Sequence, residues 1–216
     1  MLLIAHRTPL TAAGCAELAS AGAGAFEVDV QLVAGRLVVS HFVTLARLPG
    51  WLEHDNWRFR VRGRGPGDVA FEDALALVPP ECLVLLDPKL PRGADPARLA
   101  DALAAAVPGR ERYRVSTADP ADLDRYRGAG FPTWRTISDR RELQIVLAGA
   151  VLPDEGVSIR QWLLADAGVV GRLHERAPEV IAWTINDPAR ARRLAGYGVD
   201  GITTDSRAVL NALNTP

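Results

Sequence analysis

The regular alternation of short β-type runs with alanine- and arginine-rich helical stretches constrains this chain more than any other feature. Strand-like runs fall at Leu2–Ala5, Phe26–Val30, Leu83–Asp87, Tyr113–Ser116, Thr133–Thr136, Val157–Arg160, Val180–Ile185 and Gly201–Thr203. Each is followed by a helical stretch: Thr11 to Ala21, Phe71–Val78, Pro96–Ala106, Pro120–Tyr126, Arg140–Leu147, one ending near Arg176, Pro188–Leu194 and Ser206–Leu213. Strands separated by helices pair in parallel and are covered by those helices. Eight such units predict an α/β fold, a closed (β/α)8 TIM barrel, as a single domain over residues 1–216. That length is near the short end of the ~200–250 residues usual for such barrels. The alternative is an open doubly wound sheet, but no Gly-x-Gly-x-x-Gly follows the first strand.

Two departures from the rhythm stand out. Gly35 and the extended run Arg36–Ser40 predict a hairpin built onto the second strand. Residues 42–69, rich in Arg, Trp, Gly and Pro, are expected to be irregular. Within them Trp57-Arg58-Phe59-Arg60-Val61-Arg62-Gly63-Arg64 places four arginines on one side if extended. A solvated loop is the simpler expectation, and a collar attracting phosphorylated substrates the sharper one.

Several function classes drop out. A formal charge of −1 gives no electrostatic case for nucleic-acid binding. Met1-Leu-Leu-Ile-Ala-His-Arg lacks the n-region and h-region of a signal peptide, and no apolar run approaches the ~18 residues of a membrane span. Cys15 and Cys82 lie in core-like surroundings and lack zinc-site spacing, so both are expected as free, buried thiols. A soluble cytoplasmic protein is the expectation. Nothing in the pattern specifies an oligomeric state.

Chemistry in such a barrel sits at the carboxyl ends of the strands. The first strand ends in His6-Arg7. The second carries Glu27 and Asp29, two apart and therefore on one face. The hairpin run ends at His41, and the third strand ends in Asp87-Pro88-Lys89. Trp183-Thr184 and Asn186 close the seventh. Three carboxylates form an oxygen-ligand site for a hard divalent cation, Mg²⁺ or Ca²⁺. Two histidines can act as base and acid, and Lys and Arg can neutralise a phosphoryl group. Of the 25 basic residues all but Lys89 are arginine, which marks a position where a compact ammonium is needed. The set describes cleavage of a small-molecule phosphodiester. Trp183 is expected either to wall the pocket for the substrate's alcohol group or simply to pack the barrel.

The stretches Ile4-Ala5-His6-Arg7, Phe26-Glu27-Val28-Asp29-Val30, Leu37-Val38-Val39-Ser40-His41, Ala182-Trp183-Thr184-Ile185-Asn186 and Gly198-Val199-Asp200-Gly201-Ile202-Thr203-Thr204-Asp205 resemble the glycerophosphodiester phosphodiesterase family. The resemblance implies a TIM barrel with His6 and His41 as the acid–base pair. It implies Glu27 and Asp29 as metal ligands and Arg7 as a phosphate contact. The family's Glu-x-Lys falls on Asp87-Pro88-Lys89, implying a third ligand and a second phosphate contact. The chain departs from the pattern at Thr8, where the family usually has Gly, and at Phe42, where an Asp normally follows the second histidine. The family's Glu-Asn-Thr stretch is not recognisable. A nearby His54-Asp55 has the family's His-Asp dipeptide but follows no strand, so His41 is preferred. The Asp-x-Lys variation is similar to the sphingomyelinase D and phospholipase D toxins, which are secreted and disulfide-bonded. It leaves two alternatives: a lyase-type reaction stopping at a cyclic phosphate, and a non-catalytic barrel that binds phosphorylated ligands.

Overall fold

Parallel strands that share one tilt can close on themselves when the last pairs with the first. In the computed structural model β1 (Leu2–Ala5), β2 (Ala25–Val33), β3 (Leu83–Pro88), β4 (Tyr113–Thr117), β5 (Thr133–Ile137), β6 (Gly156–Arg160), β7 (Val180–Trp183) and β8 (Gly201–Thr204) are neighbours in that order. β8 pairs back onto β1, with Ile4 opposite Thr203, while β1 also pairs with β2, with Ile4 opposite Ala25. The sheet is therefore a closed, eight-stranded parallel barrel, the TIM-barrel fold expected from the alternation. The structure describes residues 1–41, 43–47, 51–55, 58–62, 69–90, 94–150 and 155–214, with backbone alone for 43–47, 51–55 and 58–62.

Among the described residues eight α-helices follow the strands: α1 (Ala12–Ser20), α2 (Phe71–Leu75), α3 (Pro96–Ala106), α4 (Pro120–Gly128), α5 (Arg140–Leu147), α6 (Ala167–His174), α7 (Pro188–Gly196) and α8 (Arg207–Leu213). Their starts are written into the sequence. Thr11 caps α1, and Asp95, Asp119, Asp139, Asp166 and Asp187 cap α3 to α7, each side chain accepting a backbone N–H. Pro96, Pro120 and Pro188 stand directly after their caps, where a missing N–H is harmless. No helix of the described residues is long and apolar enough to cross a membrane.

The two faces of the barrel wall bury different things. Outward residues such as Phe26, Val28, Val84, Leu86, Val115, Ile159 and Ile202 pack under the helices in the larger core. Ile4, Ala25, Leu85, Trp134 and Ile181 fill the lumen as a separate cluster. Trp134 fits because Gly156 stands opposite it on β6: a Cβ there would come within 2.3 Å of the indole. The Trp134 Nε1–H donates to Glu179 Oε2 at 2.7 Å. This plug is the floor on which the polar mouth is built, since Glu27 and Asp29 follow Ala25 on the lumen face of β2.

Residues 42–69 differ from the expectation of irregular chain. After the predicted hairpin strand Arg36–Val39, which pairs with β2, come three antiparallel strands, Val43–Arg47, Trp51–Asp55 and Arg58–Arg62. The alternation Arg58-Phe59-Arg60-Val61-Arg62 is a period-two strand pattern that richness in Arg, Gly and Pro obscures. His54 and Asp55 lie inside the middle strand rather than after a barrel strand. Phe42, Trp57, Gly63 and Arg64 lie outside the described residues.

Candidate active site

The strand ends converge on one open cavity of about 430 Å³ at the carboxyl mouth of the barrel. His6, Arg7, Glu27, His41, Asp87, Lys89 and Trp183 line it. Asp29 lies beneath the lining, only 4% exposed, and is tied to it by two neighbours. It accepts from His41 Nδ1 at 3.0 Å and forms an ion pair with Lys89, whose Nζ stands 3.1 Å from Oδ1. Lys89 Nζ also donates to Asp87 Oδ2 at 2.6 Å, so one ammonium bridges two of the three carboxylates. β2 and β3 set this arrangement directly, because Asp29 and Asp87 are register partners.

Each histidine has a defined tautomer. Arg7 Nη2 donates to His41 Nε2 at 2.8 Å, and Nδ1 of the same ring donates to Asp29. On the other side His6 Nδ1 donates to Asp205 Oδ1 at 2.6 Å, which leaves Nε2 facing Glu27 Oε1 at 3.7 Å. Arg7 reaches the mouth through a left-handed backbone turn, φ 59°, directly after β1. Such a conformation in a non-glycine residue costs about 1–3 kcal/mol and is held by its surroundings. Thr8 helps hold it: its N–H and hydroxyl both donate to the Glu27 carbonyl, at 2.9 and 2.6 Å. The residue that departs from the family pattern thus fastens the first loop to β2.

The electrostatics of the cluster are unbalanced. Burial, with Asp87 and Asp29 beside it, pushes the Glu27 carboxyl up to about 8 against the pull of His6 and Lys89. Asp29 resists burial and is held below its ordinary value by the His41 hydrogen bond and Lys89. Lys89 is desolvated yet held firmly protonated by Asp87 and Asp29. Burial alone would lower the His6 pKa, but the Asp205 hydrogen bond and the Glu27 carboxylate raise it. With all three carboxylates ionised, one ammonium would leave an excess of about two negative charges in a low-dielectric site, where unpaired charge is costly. Without a cation Glu27 keeps its proton instead. Oxygens of Glu27, Asp29 and Asp87 all lie within 4.8 Å of one another, the only such cluster among the described residues. An all-oxygen donor set with that excess charge fits a hard divalent cation.

Two residues of this site were not singled out for roles from the sequence. Asp205, directly after β8, orients His6, and Asn186 orients Asp205. Asn186 Nδ2 donates to Asp205 Oδ2 at 3.1 Å, while its Oδ1 accepts from Thr204 Oγ1 and the Asp205 N–H. Both stood in the quoted motif stretches, and the signal available was their place after a strand.

The chain matches the model of the glycerophosphoryl diester phosphodiesterase family over residues 100–209. No curated protein matches it significantly. Among solved structures, a Silicibacter pomeroyi protein provisionally named a glycerophosphoryl diester phosphodiesterase is similar with a TM-score of 0.73 and 21% identity, covering 97% of this chain and 91% of that one. A glycerophosphodiester phosphodiesterase of Thermotoga maritima is similar at TM-score 0.70 and 18% identity, covering 99% and 96%. An Oleispira antarctica phosphodiesterase, solved with its product sn-glycerol-3-phosphate, reaches 0.73 at 18% identity, covering 100% and 97%. At these identities the likeness is one of fold.

Proposed function

Because this chain belongs to the glycerophosphoryl diester phosphodiesterase family of phosphoric diester hydrolases, we propose that it cleaves glycerophosphodiesters by metal-assisted acid–base catalysis with His6 and His41. The observation that carries the proposal is the placing of two tautomer-defined histidines on either side of one carboxylate–lysine cluster. Glu27, Asp29 and Asp87 would hold a divalent cation, Mg²⁺ or Ca²⁺. When bound, the cation supplies Lewis-acid polarisation of the phosphoryl group.

The chain's own residues do the rest. Arg7 and Lys89 take the non-bridging phosphoryl oxygens, whose charge grows in the transition state. As Arg7 turns to the phosphate it leaves His41 Nε2, uncovering that lone pair only when substrate is present. One histidine then accepts the nucleophile's proton and the other donates to the leaving alcohol oxygen. Asp205 and Asn186 are positioning residues for His6, and Asp29 serves His41 in the same way. Trp183 walls the side on which the alcohol departs. Free, buried Cys15 and Cys82 fit a reducing, cytoplasmic setting.

The test is turnover of a panel of glycerophosphodiesters and bis(p-nitrophenyl) phosphate, with and without Mg²⁺ or Ca²⁺. Phosphorus NMR separates glycerol phosphate from a cyclic phosphate product. His6→Ala and His41→Ala should each lose about 100- to 10,000-fold in kcat. Absence of turnover on every substrate, or turnover indifferent to chelator and to both substitutions, refutes the reading.

A further inference from the structure

At the carboxyl end of β6, beside the residues that line the cavity, stands a cation with no established task. Arg160 is the last residue of β6 and the register partner of Trp183 on β7. It follows Ser158 on the lumen face, one layer nearer the mouth, and Ser158 lines the cavity. Its guanidinium carbon stands 4.0 Å from the ring centre of Trp162 and 5.2 Å from that of Trp183. Two indoles therefore cover the guanidinium, while the N–H groups along its edge have no hydrogen-bond acceptor or carboxylate among the described residues. Trp162 is 61% exposed, an outlay of apolar surface at the mouth that makes sense as a shield for this cation. A planar guanidinium stacked in this way is pre-organised, so little freedom is lost when its edge binds a ligand.

The surroundings select the sign of that ligand. The buried Trp183 Nε1–H has no partner either, a second donor left open beside the guanidinium. The neighbouring cavity wall is uncharged, made of hydroxyl residues such as Ser116, Thr136, Ser138, Ser158 and Thr184. A quaternary ammonium needs an open aromatic face with negative charge nearby. Here the Trp183 face is taken by a cation, which would repel one. Arg7 and Lys89 already serve the phosphoryl group under attack, so Arg160 is available for a second one.

We propose that Arg160, lying over the rings of Trp162 and Trp183, forms an anion subsite for the alcohol half of the substrate, so that the preferred glycerophosphodiesters are those whose alcohol itself carries a phosphate or carboxylate. The proposal rests on the phosphodiesterase reading above, and names the substrate class for that site. It makes Arg160 a specificity determinant, with the charge of the leaving alcohol as the property it reads. Cationic alcohols such as choline become the poorest substrates, and neutral polyols stand between.

Binding and turnover are measured separately, so that the two readings fail in different ways. The probes are glycerophosphocholine, glycerophosphoglycerol and bis(glycerophospho)glycerol, whose alcohols are cationic, neutral and anionic. Calorimetry on the His6→Ala protein with Mg²⁺ at low ionic strength should find the anionic probe about 10- to 100-fold tighter than the cationic one, the range for a charge-assisted contact. Adding Arg160→Gln should bring the probes within about threefold of each other, and Arg160→Lys should keep the order with a smaller spread. The same order is expected in kcat/KM of the otherwise unaltered enzyme, beyond the twofold statistical advantage of two equivalent diester bonds in the bis compound. Equal affinities, a preference for the choline probe, or an order that survives Arg160→Gln overturns the subsite. Ordered binding without turnover of any probe leaves the subsite standing and refutes the phosphodiesterase reading. Turnover without the order does the reverse.

Discussion

Asp205→Asn should harm the enzyme more than Asp205→Ala, although the amide is the closer mimic. The reason lies in how Asn186 is fixed. Its Oδ1 already accepts from Thr204 and from the backbone N–H of residue 205, so its Nδ2 must donate towards residue 205. An asparagine there has to meet that donor with its carbonyl, which turns its NH₂ towards His6 Nδ1. The ring must then accept at Nδ1 and carry its proton on Nε2, the reverse of the tautomer that the Asp205 carboxylate favours. A charge-assisted bond is worth ~1.5–3 kcal/mol, so reversing it shifts the tautomer balance by about 10- to 150-fold. kcat should fall by at least that factor, and by no more than the ~10⁴ that acid–base catalysis supplies in total. Alanine leaves a half-exposed gap that water fills, and water can accept or donate, so the loss there is about tenfold. Steady-state rates with glycerophosphoglycerol measure both losses, with KM nearly unchanged because Asp205 stands behind His6 rather than against substrate. Nitrogen-15 shifts of the His6 ring read the tautomer directly, which a purely structural role would not move. Equal activity of the amide variant and the parent, or a larger loss in the alanine variant, refutes the reasoning.

Other outcomes follow from the same geometry. Lys89→Arg should lose most activity while melting as the parent does, since a planar guanidinium cannot sit within 2.6 Å of Asp87 and 3.1 Å of Asp29 without crowding the ligands; full activity would make the lone lysine incidental. Glu27 gives a pH prediction for the metal-free protein. Unfolded it releases its proton near 4.5, but folded it holds it to about 8, so stability falls as pH rises between those values. Glu27→Gln removes that fall: its metal-free form should melt above the parent at pH 8, whereas added Mg²⁺ should raise the parent's melting temperature alone, as thermal scans with and without chelator will tell. Gly156→Ala drives a methyl into Trp134 in the barrel floor and should cost about 1–3 kcal/mol in denaturant unfolding; an unchanged midpoint would mean the floor repacks freely.

What was legible in the sequence follows the range of the interactions involved. The strand–helix order and the starts of α3, α4 and α7 could be read because Asp-Pro pairs and apolar runs act within a few residues. Glu27 and Asp29 could be paired because strand alternation is also local. The three antiparallel strands between residues 43 and 62 were missed, since five residues of Arg alternating with Phe and Val resemble solvated loop when composition is weighed before period. Asp205 lay further out of reach. Its partner His6 is 199 positions away, and no local pattern says which carboxylate a histidine will find when the barrel closes. Arg160 was unreadable for the same reason, its meaning arising only when β6 and β7 set it beside Trp183.

This division has a consequence for how the site assembles. His6, Arg7, Glu27, Asp29, His41, Asp87 and Lys89 all come from the first 89 residues, whereas the family match lies in residues 100–209. The half that carries the proposed reactive groups is thus not the half that the family model matches. The two meet where β3 pairs with β4 and again at the β1–β8 seam, where Thr203 pairs with Ile4 and Thr204 with Ala5. That pairing delivers Asp205 to His6, and the His6 N–H itself donates to the Thr204 carbonyl. Loop closure across nearly the whole chain is the most expensive contact in entropy, and the last that folding can reward. Losing β8 would free His6 from its positioning residue while Asp29, Asp87, His41 and Lys89 kept one another's company. A chain unzipped at that seam would hold the Asp29–Lys89–Asp87 cluster together and still lack one of its two oriented histidines.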